Sequence, residues 1–141
     1  NWTTVRNYNQ NTIWKKCKNI LSIRVPKCNE ESWKFYNSGN THGAYKCYVY
    51  VEEEKINPNW SRDKIIKEIV SLGVPCYSGS CSEVYLEKAF LNTDYSPKER
   101  LPNAKKLGET SLMFLIHPTL TEDELDKTCE ALTSVMEKAC N

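Results

Sequence analysis

Five residues near the middle of the chain, Ser78-Gly79-Ser80-Cys81-Ser82, have side chains and backbone suited to holding an anion. They follow a short apolar run, Val74 to Tyr77, and open into a stretch from Glu83 to Phe90 that can be helical. Small residues with free backbone N–H groups at a helix start attract negative charge. One glycine is a weak version of that signal, since phosphate loops carry two or three. The same residues fit a tight surface turn with an N-cap at Ser80 or Ser82. Both readings are open at this point.

Other reactive types are present without a pattern that makes them work together. The chain has seven cysteines: Cys17, Cys28, Cys47, Cys76, Cys81, Cys129 and Cys140. A zinc site would need short-spaced pairs, and neither His42 nor His117 has a helical histidine partner. Cys81 at a helix start would be a low-pKa thiol, but a nucleophile also needs a base. His117, between Ile116 and Pro118, reads as support for a turn. Glu83 and Glu87 lie one helical turn apart and read as a solvated face. No catalytic residue and no metal site is expected from these residues.

Composition narrows the classes. At 141 residues a single domain is the natural expectation. An apolar share of 40% and an aromatic share of 11% fit a folded chain. The net charge of +1 gives no electrostatic case for nucleic acid or an acidic membrane as partner. No apolar run is long enough to span a bilayer. An odd number of cysteines cannot all pair, and Cys47 and Cys129 sit at apolar positions, so a reducing, cytoplasmic setting is expected. The chain starts at Asn1 inside a helical pattern, as a piece of a longer protein would.

The elements that must carry the central loop follow from periodicity. Residues 2–21 read as a helix with Val5, Ile13, Cys17, Ile20 and Leu21 on one side. Its asparagines weaken its propensity, so packing has to hold it. Residues 27–44 read as loop pinned by Trp33, Phe35 and Tyr36. Ala44 to Val51 is the best strand, with Tyr45, Cys47, Val49 and Val51 facing one way and Lys46, Tyr48 and Tyr50 the other. Ser61 caps a helix to Leu72 with a stripe of Ile65, Ile69 and Leu72, and Gly73 stops it. Asn103 to Leu107 gives a turn or two of helix. Ser111 to Ile116 is a strand ended by His117-Pro118. Thr121-Glu122-Asp123-Glu124 is a capping box for a last helix to about Ala139. Its stripe is Leu125, Cys129, Leu132, Val135, Met136 and Ala139. The order α, β, α, β, short α, β, α implies a small three-stranded sheet packed with helices, an α/β (α+β) sandwich. The helix between the first two strands favours a crossover.

The segments together resemble the end of the DegT-type sugar aminotransferases. Leu101-Pro102-Asn103-Ala104 is similar to that family's "lp-x-a" helix. His117-Pro118-Thr119-Leu120-Thr121 is similar to its "hP-x-lt". Tyr48 to Val51 resembles the "Y-x-i" strand, and Gly73-Val74-Pro75 resembles "GIP". Arg6 with Tyr8 and Asn9 resembles the helix that leaves the large domain. The likeness runs from about Arg6 to Ala139.

This resemblance implies a fold type I enzyme that uses pyridoxal phosphate to move an amino group, usually from glutamate, to a keto-sugar on a nucleotide. It implies that residues 1–141 are a C-terminal domain, with 2–21 as connecting helix and 44–141 as α/β core. Its partners would be the large domain and a second copy of the parent. The large domain would supply the Schiff-base lysine and the aspartate on the pyridine nitrogen. No lysine here lies in the family's Ser-x-His/Asn-Lys context, so this chain would be inactive alone and bind no cofactor. By the same resemblance Tyr77, Ser78, Ser80, Ser82 and Glu83 would line the substrate cleft. The competing expectation is a stand-alone α/β binding or regulatory module that takes a small anion at Ser78–Ser82.

Overall fold

In the computed structural model the structure describes residues 1–26 and 42–141. The loop reading of 27–41, with Trp33, Phe35 and Tyr36, lies outside the described residues. The described elements are α1 (Trp2–Cys17), β1 (Ile23–Arg24), β2 (Cys47–Val51), α2 (Arg62–Ser71), β3 (Cys76–Tyr77), α3 (Pro102–Thr110), β4 (Ser111–Phe114) and α4 (Glu122–Cys140).

The strands form one sheet in the order β1-β2-β4-β3, and every neighbouring pair is antiparallel. The expected sheet of three strands is therefore corrected to four. The missed strand is two residues long and lies between the end of the expected helix 2–21 and Pro26. That helix stops at Cys17 because the chain turns, with Asn19 N–H donating to Lys16 and Ile20 N–H to Cys17. Val25 then precedes Pro26, which disfavours helix and favours extended backbone. Because β2 and β3 both run against β4, they are parallel to each other. The segment through α2 therefore crosses β4, as the sequence order implies.

Pairing sets the two faces of the sheet. Cys47 lies opposite Phe114 and Val49 opposite Leu112, and all four are fully buried. They join Ile13 and Cys17 of α1, Ile65 and Ile69 of α2, and Leu125, Leu132, Val135 and Met136 of α4 in one core. The other face carries Tyr48, Tyr50 and Met113. The core thus lies between the sheet and helices α1, α2 and α4, two layers in place of the expected sandwich.

Three helix ends match their sequence signals. Ser61 Oγ accepts from Lys64 N–H at 3.2 Å. At the far end Gly73 has φ +77, its N–H donates to Val70 and that of Val74 to Ile69, the two bonds of a Schellman stop. Thr121 and Glu124 form the capping box, with Thr121 N–H donating to Glu124 Oε2 at 2.8 Å. Thr121→Ala should destabilise the domain by about 1 kcal/mol, a fall in Tm of about 3 °C by thermal unfolding. The whole predicted stripe of α4 is buried.

Three residues assigned to buried stripes are exposed: Leu21, Tyr45 and Leu72. Leu21 follows the end of α1. Leu72 sits at the cap of α2, where the backbone has left helical geometry. Ala44 has φ +43, which breaks the alternation before Tyr45.

The polar character of α1 has a use. Asn7, Asn9 and Gln10 are buried, and their amides donate to backbone carbonyls elsewhere in the fold. Asn7 Nδ2 reaches His42 O at 2.8 Å, Asn9 Nδ2 reaches His117 O at 3.0 Å and Gln10 Nε2 reaches Lys46 O at 3.4 Å. Trp14 Nε1 adds a bond to Tyr48 O at 3.1 Å. Hydrogen bonding thus holds this helix alongside packing, which its propensity alone would not do.

Candidate functional site

The loop after β3 folds back over the second face of the sheet. Ser111 Oγ, at the start of β4, donates to Ser78 O at 2.6 Å. Gly79 has φ +91 and rests on the Tyr48 ring. A Cβ there would lie 2.4 Å from Tyr48 Cε1, so no side chain fits without movement. Ser80 N–H donates to Tyr48 Oη at 3.0 Å, and Lys46 Nζ donates to Ser80 Oγ at 3.0 Å. Ser82 packs against α3 so closely that a Cβ on Gly108 would lie 2.4 Å from its Oγ.

No regular helix follows. Val84–Leu86 is a single 3-10 turn, and Glu87 is extended. The expected helix from Glu83 to Phe90 is corrected, and with it the N-cap roles at Ser80 and Ser82. Eight residues make a marginal helix without tertiary support, and here side-chain bonds fix another course. Arg100 holds Glu83 through two of its guanidinium nitrogens, Nε to Oε1 and Nη2 to Oε2, at 2.6 Å each. Tyr85 Oη donates to Glu83 Oε1 at 2.7 Å and accepts from Leu101 N–H at 3.0 Å.

Hydrogen bonds from Arg100 first, and Tyr85 second, hold the Glu83 carboxyl at about 2. A folded-state value below the unfolded one gives stability that is complete above the ordinary carboxylate range. It is lost as pH falls through that range and then through about 2. NMR titration of the Glu83 side chain should therefore show it ionised at pH 4, and Arg100→Gln should move its midpoint up.

The five residues singled out by the sequence are contiguous but face different neighbours. Ser80 meets Lys46 and Tyr48, Ser82 meets α3, and Glu83 meets Arg100. Tyr77 is about half exposed. Beside Ser80 lies an open groove of about 600 Å³ bounded by Trp14, Tyr45, Lys46, Tyr48 and Tyr50. Arg24 stacks over Tyr50 at 4.3 Å. Sequence reasoning marked Tyr48 and Lys46 only as a second face. It gave Arg100 no role, because a single arginine in a polar link has no periodic signal.

Among the described residues, four of the six free thiols, Cys17, Cys47, Cys76 and Cys129, are buried. Burial pushes Cys17 and Cys76 up to about 12 and Cys47 higher still. Neutral buried thiols are weak nucleophiles. The exposed Cys81 has Glu87 as its neighbour, at 3.8 Å, rather than a histidine. His117 Nδ1 bonds Thr119 Oγ1 at 2.8 Å, a turn contact. Among the described residues no three His, Cys, Asp or Glu come together as a metal site. Among them, no helix is long and apolar enough to cross a membrane. Among the described residues, the groove that offers Lys46 is lined by no carboxylate for a pyridine nitrogen.

No protein-family model matches the chain, and no curated protein does. Solved structures do. An aminotransferase from Psychrobacter cryohalolentis is 52% identical over 99% of this chain and 35% of its own, with a TM-score of 0.88. A DegT DnrJ EryC1 StrS aminotransferase from Brucella abortus is 17% identical over 94% of this chain and 31% of its own, at 0.71. NtdA from Bacillus subtilis, with bound cofactor PMP, is 18% identical over 96% and 28%, at 0.73. The latter two show the fold alone. This chain spans about a third of the length of the structures it matches, and it is similar over nearly all of its residues to part of an aminotransferase.

Proposed function

We propose that this chain is the C-terminal small domain of a pyridoxal-phosphate-dependent sugar aminotransferase and is not a catalyst by itself. The observation that carries this is the 52% identity across 99% of the chain to an aminotransferase of which it spans 35%. The order of segments in the sequence supports the C-terminal position. Bound pyridoxal phosphate supplies the electron sink for amino transfer. The rest of the parent supplies the lysine that carries it and the aspartate on its ring nitrogen. This domain closes the cleft, and Tyr77, Ser78, Ser80 and Ser82 line the side where a nucleotide-linked keto-sugar enters. Glu83 shapes that edge through its bonds to Arg100 and Tyr85. The parent is a homodimer of the cytoplasm, where the free thiols of this domain stay reduced.

A stand-alone anion-binding module is the weaker reading. It relied on free N–H groups at a helix start. The loop opens no helix, and Ser80 N–H is already bonded to Tyr48.

The test is a transaminase assay with glutamate and a nucleotide keto-sugar. The purified 141-residue chain should give no turnover. The full-length product of the source gene should turn over and carry cofactor absorbance. Turnover by the short chain, or an inactive full-length protein, would overturn the proposal.

A further inference from the structure

Glu83 and Arg100 close the two ends of a long excursion. Between them the backbone makes only local turns, such as Phe90 N–H to Glu87 and Thr93 N–H to Phe90. Leu91 and Tyr95 on that excursion are exposed, Tyr95 by 83%. What ties it down is at its base. The Glu83 side chain is only 12% exposed, and both its oxygens accept from Arg100. Tyr85 then bridges Glu83 to the backbone of Leu101, one residue before α3 begins. An isolated surface ion pair does little, but a forked arginine in a network is the arrangement that does hold position.

The base is also the exit of the loop at Tyr77–Glu83. Ser82, the residue before Glu83, packs on Gly108 of α3. Anchoring Glu83 beside the start of α3 therefore fixes the serines on one side, as Tyr48 fixes Ser80 in the middle.

We propose that Arg100 is a positioning residue for the Tyr77–Glu83 loop: its forked bond to Glu83 holds the loop's exit against α3, so that the serines keep their places at the cleft edge. This rests on the aminotransferase reading, because that reading places the loop at a cleft. Arg100 itself touches no substrate.

The experiment compares full-length wild type, Arg100→Gln and Arg100→Lys. Kinetics are measured with a nucleotide keto-sugar as acceptor, and amide exchange is followed at Ser78–Ser82. Arg100→Gln should raise KM for the keto-sugar roughly fivefold, the upper end for a networked surface pair. The half-reaction with glutamate alone should be unchanged, and exchange at Ser78–Ser82 should quicken. Arg100→Lys keeps the charge without the fork and should fall between the two. Unchanged KM and unchanged exchange would overturn the proposal. So would a loss of all rates in step with a lower Tm, which marks a purely structural role. An inactive wild-type chain overturns the aminotransferase reading instead. Exchange at Ser78–Ser82 then decides the role of Arg100 alone: faster in Arg100→Gln upholds it, unchanged overturns it.

Discussion

Phe114→Ala should destabilise this domain by about 3–5 kcal/mol. Phe114 is fully buried in the inner strand β4, and its register partners are Cys47 on one side and Cys76 on the other. Its core also holds Ile69 of α2 and Leu132 of α4, both fully buried, and so close-packed a core fills a void only in part. A domain of this size has about 5–15 kcal/mol of total stability, so the loss is a large fraction of it. Thermal unfolding should show a fall in Tm of about 10 °C or more. Leu115, the next residue, is 43% exposed, and Leu115→Ala should shift stability by less than about 1 kcal/mol. Equal losses at the two positions would contradict the assigned face of β4.

Gly79→Ala should detach the loop that crosses the sheet. Two separate penalties act there. The φ of +91 disfavours any L side chain, at about 1–2 kcal/mol. The new Cβ also meets the Tyr48 ring, and such overpacking costs about 1–3 kcal/mol. The loop is at the surface, so the chain can escape by swinging out and losing the Ser80–Tyr48 bonds. The net cost should therefore settle near about 2 kcal/mol rather than at the sum. A double-mutant cycle separates the two parts. In a Tyr48→Ala background the clash is gone and only the backbone penalty remains, so Gly79→Ala should cost about 1 kcal/mol less. An identical cost in both backgrounds would mean that the ring does not confine the loop.

Long periodic segments were legible: the α4 stripe and its capping box, the Ser61 cap and the Gly73 stop all rest on local chemistry. The core face of β2 was legible from alternation. The two-residue strand β1 was not, because it exists only through its pairing with β2. The segment after Ser82 misled for a related reason. Its local pattern permits a helix, but the fork from Arg100, 17 residues away, selects another path. The turn at Gly79 was legible in the sequence from its small residues. Its supports, Tyr48 and Arg100, were not, since contacts between distant residues leave no mark in spacing.

Helix α1 is held by the main chain of its neighbours. Its amides and Trp14 bond to main-chain oxygens of residues 42, 46, 48 and 117, not to their side chains. Every amino acid carries that oxygen. The receiving side of the joint is therefore blind to mutation, and only the helix side can be spoiled by a single codon change. A survey of random variants should find residues 42 and 46 freely replaceable as far as this joint is concerned, while Asn7, Asn9 and Gln10 tolerate little. Within this set of hydrogen bonds, the demand on side-chain identity falls on one partner.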